Sequence, residues 1–174
     1  TAVDVKNSAF TTIKDNFIGF INRIGGKGTA GNIKGDGIFV DNSDNAVIAK
    51  NTITETSSTG YPNGSGIQVL NSDGVTIGGE TEKDGNIITN AGWDGIRVAD
   101  NSNLTVRNNS ILNITLNGIY AGNTTTGTFA DNSVTTSSLA GYGAVSIDGG
   151  SNIRVLRNDV NDSRGSGIWL RNTT

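Results

Sequence analysis

The chain predicts an all-β fold, a parallel β-helix, on three observations. One tetrapeptide pattern recurs along its length. Apolar residues two apart recur in register behind it. An asparagine then occupies the same place in each complete repeat.

The tetrapeptides are AVDV at Ala2, GIFV at Gly37, GIQV at Gly66, GIRV at Gly95, GIYA at Gly118, AVSI at Ala144 and GIWL at Gly167. Their spacings are 35, 29, 29, 23, 26 and 23 residues. Repeats of this kind mark solenoids, and variable spacing fits short strands joined by loops of unequal length better than packed helix pairs. The first apolar column holds Val3, Ile38, Ile67, Ile96, Ile119, Val145 and Ile168. Two residues on stand Val5, Val40, Val69, Val98, Ala121, Ile147 and Leu170. Further along come Thr11, Ala46, Val75, Leu104, Gly127 and Ile153, and then Ile13, Ile48, Ile77, Val106, Phe129 and Val155. A fifth column holds Ile18, Ile53, Ile88, Ile111, Val134 and Val160. The pairs keep the strand period of two, and β-branched residues suit a pleated, buried surface.

The asparagine column is Asn16, Asn51, Asn86, Asn109, Asn132 and Asn158, where Asn86 falls in line only after a six-residue insertion behind Ile77. Asparagines stacked on successive rungs hydrogen-bond one another along a parallel stack, and the residue tolerates the left-handed bend between short strands. An antiparallel sandwich gives no reason for such a column. The prediction is about six to seven coils of three short strands, in one domain over 1–174. At about 4.8 Å per coil the rod is roughly 30 Å long.

Composition bounds the function. A hydrophobic fraction of 34% with 25 glycines allows a core. Without cysteine there is neither a disulfide framework nor a thiolate metal site. Without histidine the commonest general base and metal ligand are missing. A net charge of −3 argues against nucleic acid or an anionic membrane surface as partner. No apolar run reaches the ~18 residues of a membrane span, and no signal peptide is visible. The abundance of Asn, Thr, Ser and Gly suggests an extracellular, secreted or cell-surface protein.

The succession G-I-x-V, then N-hydrophobic-x-hydrophobic, then N-x-I over residues 2–170 resembles the repeats of the pectin-lyase-like superfamily. That resemblance implies a right-handed, single-stranded parallel β-helix. The superfamily includes polysaccharide lyases, glycoside hydrolases, mannuronan epimerases, phage tailspikes and surface adhesins. Its repeat encodes a scaffold, so it specifies function weakly.

Function in a β-helix is expected on its variable loops. The loop after the fifth column is longest at 19–36 and 54–65, which crowds both long loops beside the first strand of each coil. Enzymes that the chain resembles place their cleft on that side. The outward residues there are Asp4, Phe39, Gln68, Arg97, Tyr120, Ser146 and Trp169, preceded by Asp36, Ser65, Asp94, Asn117, Gly143 and Ser166 and flanked by Trp93 and Tyr142. Both tryptophans and two of the three tyrosines fall in this stripe. Aromatic faces suit sugar rings and the polar groups suit hydroxyls, which nominates Phe39, Gln68, Trp93, Arg97, Tyr120 and Trp169 as carbohydrate ligands.

Catalysis is the alternative, as a lyase or hydrolase of acidic polysaccharide using Asp36, Asp94 and Arg97. Two coils separate the aspartates by about 9.6 Å, near the upper end for an inverting pair. In a lyase-like site the resemblance makes the arginine a base. No paired aspartates and no epimerase motif of the DPHE kind occur, and solvated loop carboxylates are the competing account. Glu80, Glu82 and Asp84 alternate in the insertion GGETEKDG and suggest calcium, with Lys83 among them; no other cofactor is indicated. Glycine in the GDG turn at 35–37 is expected for its conformational freedom. Sequons at Asn63, Asn103, Asn108, Asn113, Asn123, Asn161 and Asn172 permit glycosylation in a source that performs it. The sequence starts inside one strand and stops one strand into a seventh coil, so it reads as a segment of a longer protein, or as a rod whose ends stack on other chains or flanking domains.

Overall fold

The computed structural model describes residues 1–19, 35–54, 56, 64–135 and 142–174. The long loops expected to wall a cleft, 19–36 and 54–65, lie largely outside the described residues. Every ladder in the described chain is parallel, and the predicted columns are its register. Val3 pairs with Ile38, Ile38 with Ile67, Ile67 with Ile96, Ile96 with Ile119, Ile119 with Val145 and Val145 with Ile168.

First strands run Val3–Lys6, Ile38–Asp41, Ile67–Leu70 and Ile96–Ala99; second strands Thr12–Lys14, Val47–Ala49, Thr76–Gly78 and Ser102–Arg107. Third strands, from Phe17–Ile18 through Thr52–Thr54, Ile87–Thr89, Ser110–Leu112 and Ser133–Thr135 to Asp159–Asn161, form a separate sheet. The expected three strands per coil hold in the first four coils. In the next two the first and second strands join into Ile119–Ala130 and Gly143–Leu156. The chain still bends there, because Asn123 (φ 48°) and Gly149 (φ 78°) stand side by side at the corner in left-handed conformation. The bend is tight enough for pairing to continue through it, from Gly122↔Asp148 to Thr124↔Gly150.

The inward columns make a continuous core. Ile38, Ile67, Ile96 and Ile119 are fully buried, as are Ile53, Ile88 and Val134 of the third strands. Burying each such side chain stabilises the fold by about 1.5–3 kcal/mol. On the last rung the column residues Ile168 and Leu170 are 49% and 51% exposed.

The asparagine ladder is present and complete. Asn86 donates from Nδ2 to Asn109 Oδ1 (2.9 Å) and from its backbone N–H to the same oxygen (3.0 Å). Its second amide hydrogen goes to the Ile48 carbonyl (2.8 Å). The same pattern links Asn51 to Asn86 and Asn109 to Asn132. The left-handed bend is not made by these asparagines, however. It falls one residue earlier, at Asp15, Lys50, Asn108, Asp131 and Arg157, with φ between 49° and 58°. The asparagine is required for its hydrogen bonds. A second ladder, invisible as a repeated letter, runs along the first corner: Ser8 N–H to Ser43 Oγ (3.0 Å), Ser43 N–H to Ser72 Oγ (2.9 Å) and Ser72 N–H to Asn101 Oδ1 (2.8 Å).

The glycine that opens the tetrapeptide has a steric cause. A Cβ on Gly37, Gly66 or Gly95 would lie 2.6–2.7 Å from the carbonyl oxygen of the next coil's glycine and 2.4–2.6 Å from an isoleucine Cγ2. In the GDG turn only Gly35 uses the left-handed region (φ 117°); Gly37 is needed for close approach.

Candidate functional site

The pairing register lines up the outward residues of the first strands. Asp4, Phe39, Gln68, Arg97, Tyr120, Ser146 and Trp169 are direct neighbours in that order. A second outward column lies two residues on: Lys6, Asp41, Leu70, Ala99, Gly122, Asp148 and Arg171. The face therefore presents two parallel rows of side chains, the spacing within each row set by the coil repeat.

Arg97 is the fixed point of the face. Its guanidinium lies 4.9 Å from the Trp93 ring centroid and 4.5 Å from that of Tyr120. Its Nη1 donates to Asp94 Oδ2 at 3.0 Å. Asp94 is fully buried, not the solvated loop carboxylate expected as the competing account. Its other oxygen accepts from the Asn117 backbone N–H (3.0 Å) and Nδ2 (2.8 Å). Asn117 Oδ1 accepts in turn from the Gly143 N–H (3.1 Å). Asp94 is thus a rung that ties two coils together and holds one arginine.

Asp36 is half-buried, and that desolvation pushes its carboxyl above the usual aspartate value against the opposing Ser65 N–H. The Ser65 N–H donates to Asp36 Oδ1 at 2.9 Å. The Gln68 carboxamide, oriented with nitrogen toward Asp36, donates to its two oxygens at 3.2 and 3.3 Å. Asp36 and Asp94 therefore each bind their own partners, with Ser65 and Gln68 on the coil between them.

Among the described residues, the cations of the two columns, Lys6, Arg97 and Arg171, are each paired. Lys6 meets Asp4 at 3.3 Å and lies 5.3 Å from the Phe39 ring centroid. Arg171 bonds both oxygens of Asp148, with Nε to Oδ1 at 3.1 Å, and stacks 5.0 Å from the Trp169 ring centroid. The Arg171 bond holds the Asp148 carboxyl below the usual range. With Asp36 and Asp41 also present, five carboxyl groups and three cations of these columns and the positions before them are found among the described residues. Asp148 and Arg171 did not stand out in the sequence because they lie outside the tetrapeptide; counting outward positions two beyond its third letter finds them.

At the Trp169 end the surface deepens into a groove of about 390 Å³ lined by Asn117, Tyr120, Tyr142, Ser146, Asp148, Trp169 and Arg171 among others. The Ser146 hydroxyl is buried there, with no hydrogen-bond partner among the described residues.

The acidic insertion is arranged differently. Glu80 binds Arg107 (3.0 Å), while Asp84 binds Lys50 (3.2 Å) and the Thr81 hydroxyl (2.8 Å) at the end of the 3₁₀ turn Glu82–Asp84. Among the described residues no three such side chains gather around one point. Glu80 and Asp84 are thus each paired with basic or hydroxyl partners of the protein, on different elements. No described helix is long and apolar enough to cross a membrane.

No curated protein matches the chain. Among solved structures it is similar to the bacteriophage CBA120 tailspike protein 3, with 14% identity and a TM-score of 0.54, over 82% of this chain and 24% of that one. It is also similar to a mutant form of the periplasmic alginate epimerase AlgG, with 14% identity and a TM-score of 0.50, over 98% of this chain and 47% of that one. The chain thus spans less than half the length of either. These likenesses rest on the stacked parallel coils described above. The right-handed β-helix region family matches residues 1–174, and the chain belongs to that family.

Proposed function

We propose that the outward face of the first strands binds a polysaccharide, as an extracellular or cell-surface, adhesin-like module. The observation that carries this reading is the alignment of Phe39, Gln68, Arg97 and Tyr120 on four successive rungs, with Trp169 two rungs further on past Ser146 and Trp93 beside Arg97. A straight row of rings and hydrogen-bonding groups is complementary to a linear chain of sugar rings, which offers an apolar face and equatorial hydroxyls at regular intervals. The rings are held in place by cations, so little conformational freedom is lost on binding. Location outside the cytoplasm agrees with one structural neighbour being a phage tailspike and another a periplasmic enzyme. Stacking end to end on a further coil, from a flanking domain or another chain, would cover Ile168 and Leu170.

The second reading is a lyase or hydrolase centred on Asp36, Asp94 and Arg97. It draws support from Asp36, whose raised carboxyl suits a general acid. It asks Arg97 to act as a base while it is committed to Asp94 and two rings, and that commitment favours the binding module. A glycan array combined with assays for new reducing ends and unsaturated uronates separates the two. Binding without cleavage supports the module. Cleavage that Asp36→Asn abolishes supports the enzyme.

A further inference from the structure

The groove at the Trp169 end differs from the rest of the face. Each other coil places a side chain in the position before its tetrapeptide: Thr1, Asp36, Ser65, Asp94, Asn117 and Ser166. The coil of Ser146 has Gly143 there. A Cβ at Gly143 would lie 2.7 Å from Ser146 Oγ, so the glycine keeps open the space beside that hydroxyl. Ser146 is 3% exposed and its Oγ has no partner among the described residues. A buried hydroxyl without a hydrogen bond is costly and uncommon. It makes sense where a ligand supplies the partner. The groove volume, about 390 Å³, lies at the small end of ligand clefts, which run from roughly 300 to 1,000 Å³.

Charge narrows the ligand. The arginine at the groove, Arg171, is held by both oxygens of Asp148, and Asp148 also accepts from Asn172 Nδ2 at 3.0 Å. Next along the face, Arg97 is held by Asp94. Lys6, Arg97 and Arg171, the cations of the two described strand columns, are all committed to aspartates, and the surplus of carboxyl groups in those columns disfavours a uronate.

We infer that this groove takes a sugar unit of an uncharged polysaccharide, stacked against Tyr142 and Trp169 and hydrogen-bonded to Ser146 Oγ. The inference deepens the glycan-binding reading and rests on it.

Calorimetric titration tests it with neutral hexasaccharides (cello-, manno-, malto- and xylo-oligomers) and with oligogalacturonate and oligomannuronate of the same length. At least one neutral oligomer is expected to bind, with an affinity that salt leaves unchanged, and both uronates at least about tenfold more weakly. Ser146→Ala should weaken the neutral oligomer by about tenfold, the worth of one hydrogen bond. The same variant should melt at or above the parent temperature, because it removes an unpaired buried hydroxyl; a merely structural serine would melt lower. Trp169→Ala, checked for retained β-structure by circular dichroism, should weaken binding further. Tighter, salt-sensitive binding of a uronate overturns the inference and leaves the face as a glycan site. Neutral binding unaffected by both variants does the same. If no oligomer of either class binds, the inference and the glycan-binding reading fail together.

Discussion

Arg97 and Tyr120 pair directly across adjacent coils, and the Arg97 guanidinium lies 4.5 Å from the Tyr120 ring centroid. The pairing fixes the backbone spacing and the ion pair to Asp94 fixes the guanidinium. The arginine, Tyr120 and Trp93 therefore form one preorganised platform whose orientation is decided by the scaffold. Preorganisation of this kind lowers the entropic cost of binding.

Asp94 is the foundation of that platform, and its replacement should be felt as instability. Asp94→Asn turns an acceptor with three donors into a group that must point an NH₂ at one of them. We expect a loss of about 2–4 kcal/mol in chemical denaturation, since the carboxylate is fully buried while its arginine is partly solvated. A variant inactive toward a polysaccharide but as stable as the parent would instead mark Asp94 as catalytic.

The ladder should respond by position. Asn109 is buried, and Asn109→Ala strands two donors of Asn86, so it should cost about 2–4 kcal/mol. Asn16 is exposed at the first rung, where water replaces the lost partner, and Asn16→Ala should cost below about 1 kcal/mol. Equal losses in urea denaturation would contradict the ladder account.

Asp36 gives a pH test. Burial raises its carboxyl, so the folded chain binds that proton more tightly than the unfolded chain does. Its ionisation costs stability above the folded-state value, and the cost fades as pH falls to the ordinary value of 3.8. Asp36→Asn keeps the Oδ1 acceptor for the Ser65 N–H. It should melt above the parent at pH 7, with the gap closing as pH approaches 3.8. A variant that melts lower at pH 7 would show that the carboxylate stabilises the fold.

The close approach of coils at the tetrapeptide glycine predicts that even one methyl group is harmful. Gly95→Ala places a Cβ 2.6 Å from both the Gly118 carbonyl oxygen and Ile111 Cγ2. The coils must spread or shift, at about 1–3 kcal/mol or more. Thermal melting of the variant at or above the parent temperature would refute the steric reading of this column.

The inward columns were legible because each coil solves the same packing problem with the same β-branched residues, and a period of two survives loops of any length. The ladder asparagines were legible because each rung needs the same amide. Other features depend on pairings between unlike residues. The burial of Asp94 follows from Asn117, a coil away, and nothing local to Asp94 reveals it. The pairing of Arg171 with Asp148 joins rungs of a column whose residue types are irregular. The joined strands of the fifth and sixth coils arise because Asn123 and Gly149 share a corner, and as letters they read as ordinary turn residues. Glu80 and Asp84 alternate with Glu82 in sequence, yet each turns to a different basic residue, Arg107 and Lys50, that lies far from it along the chain.

The central claim is that the first-strand face binds a glycan, and the chain carries its own reporter. Both of its tryptophans, Trp93 and Trp169, belong to that face. Intrinsic fluorescence should therefore be followed while an oligosaccharide selected on a glycan array is titrated in. The account predicts a saturable shift in tryptophan emission with the same midpoint as binding measured by calorimetry. Calorimetric binding that leaves the emission spectrum unchanged would place the glycan elsewhere on the molecule and contradict the account.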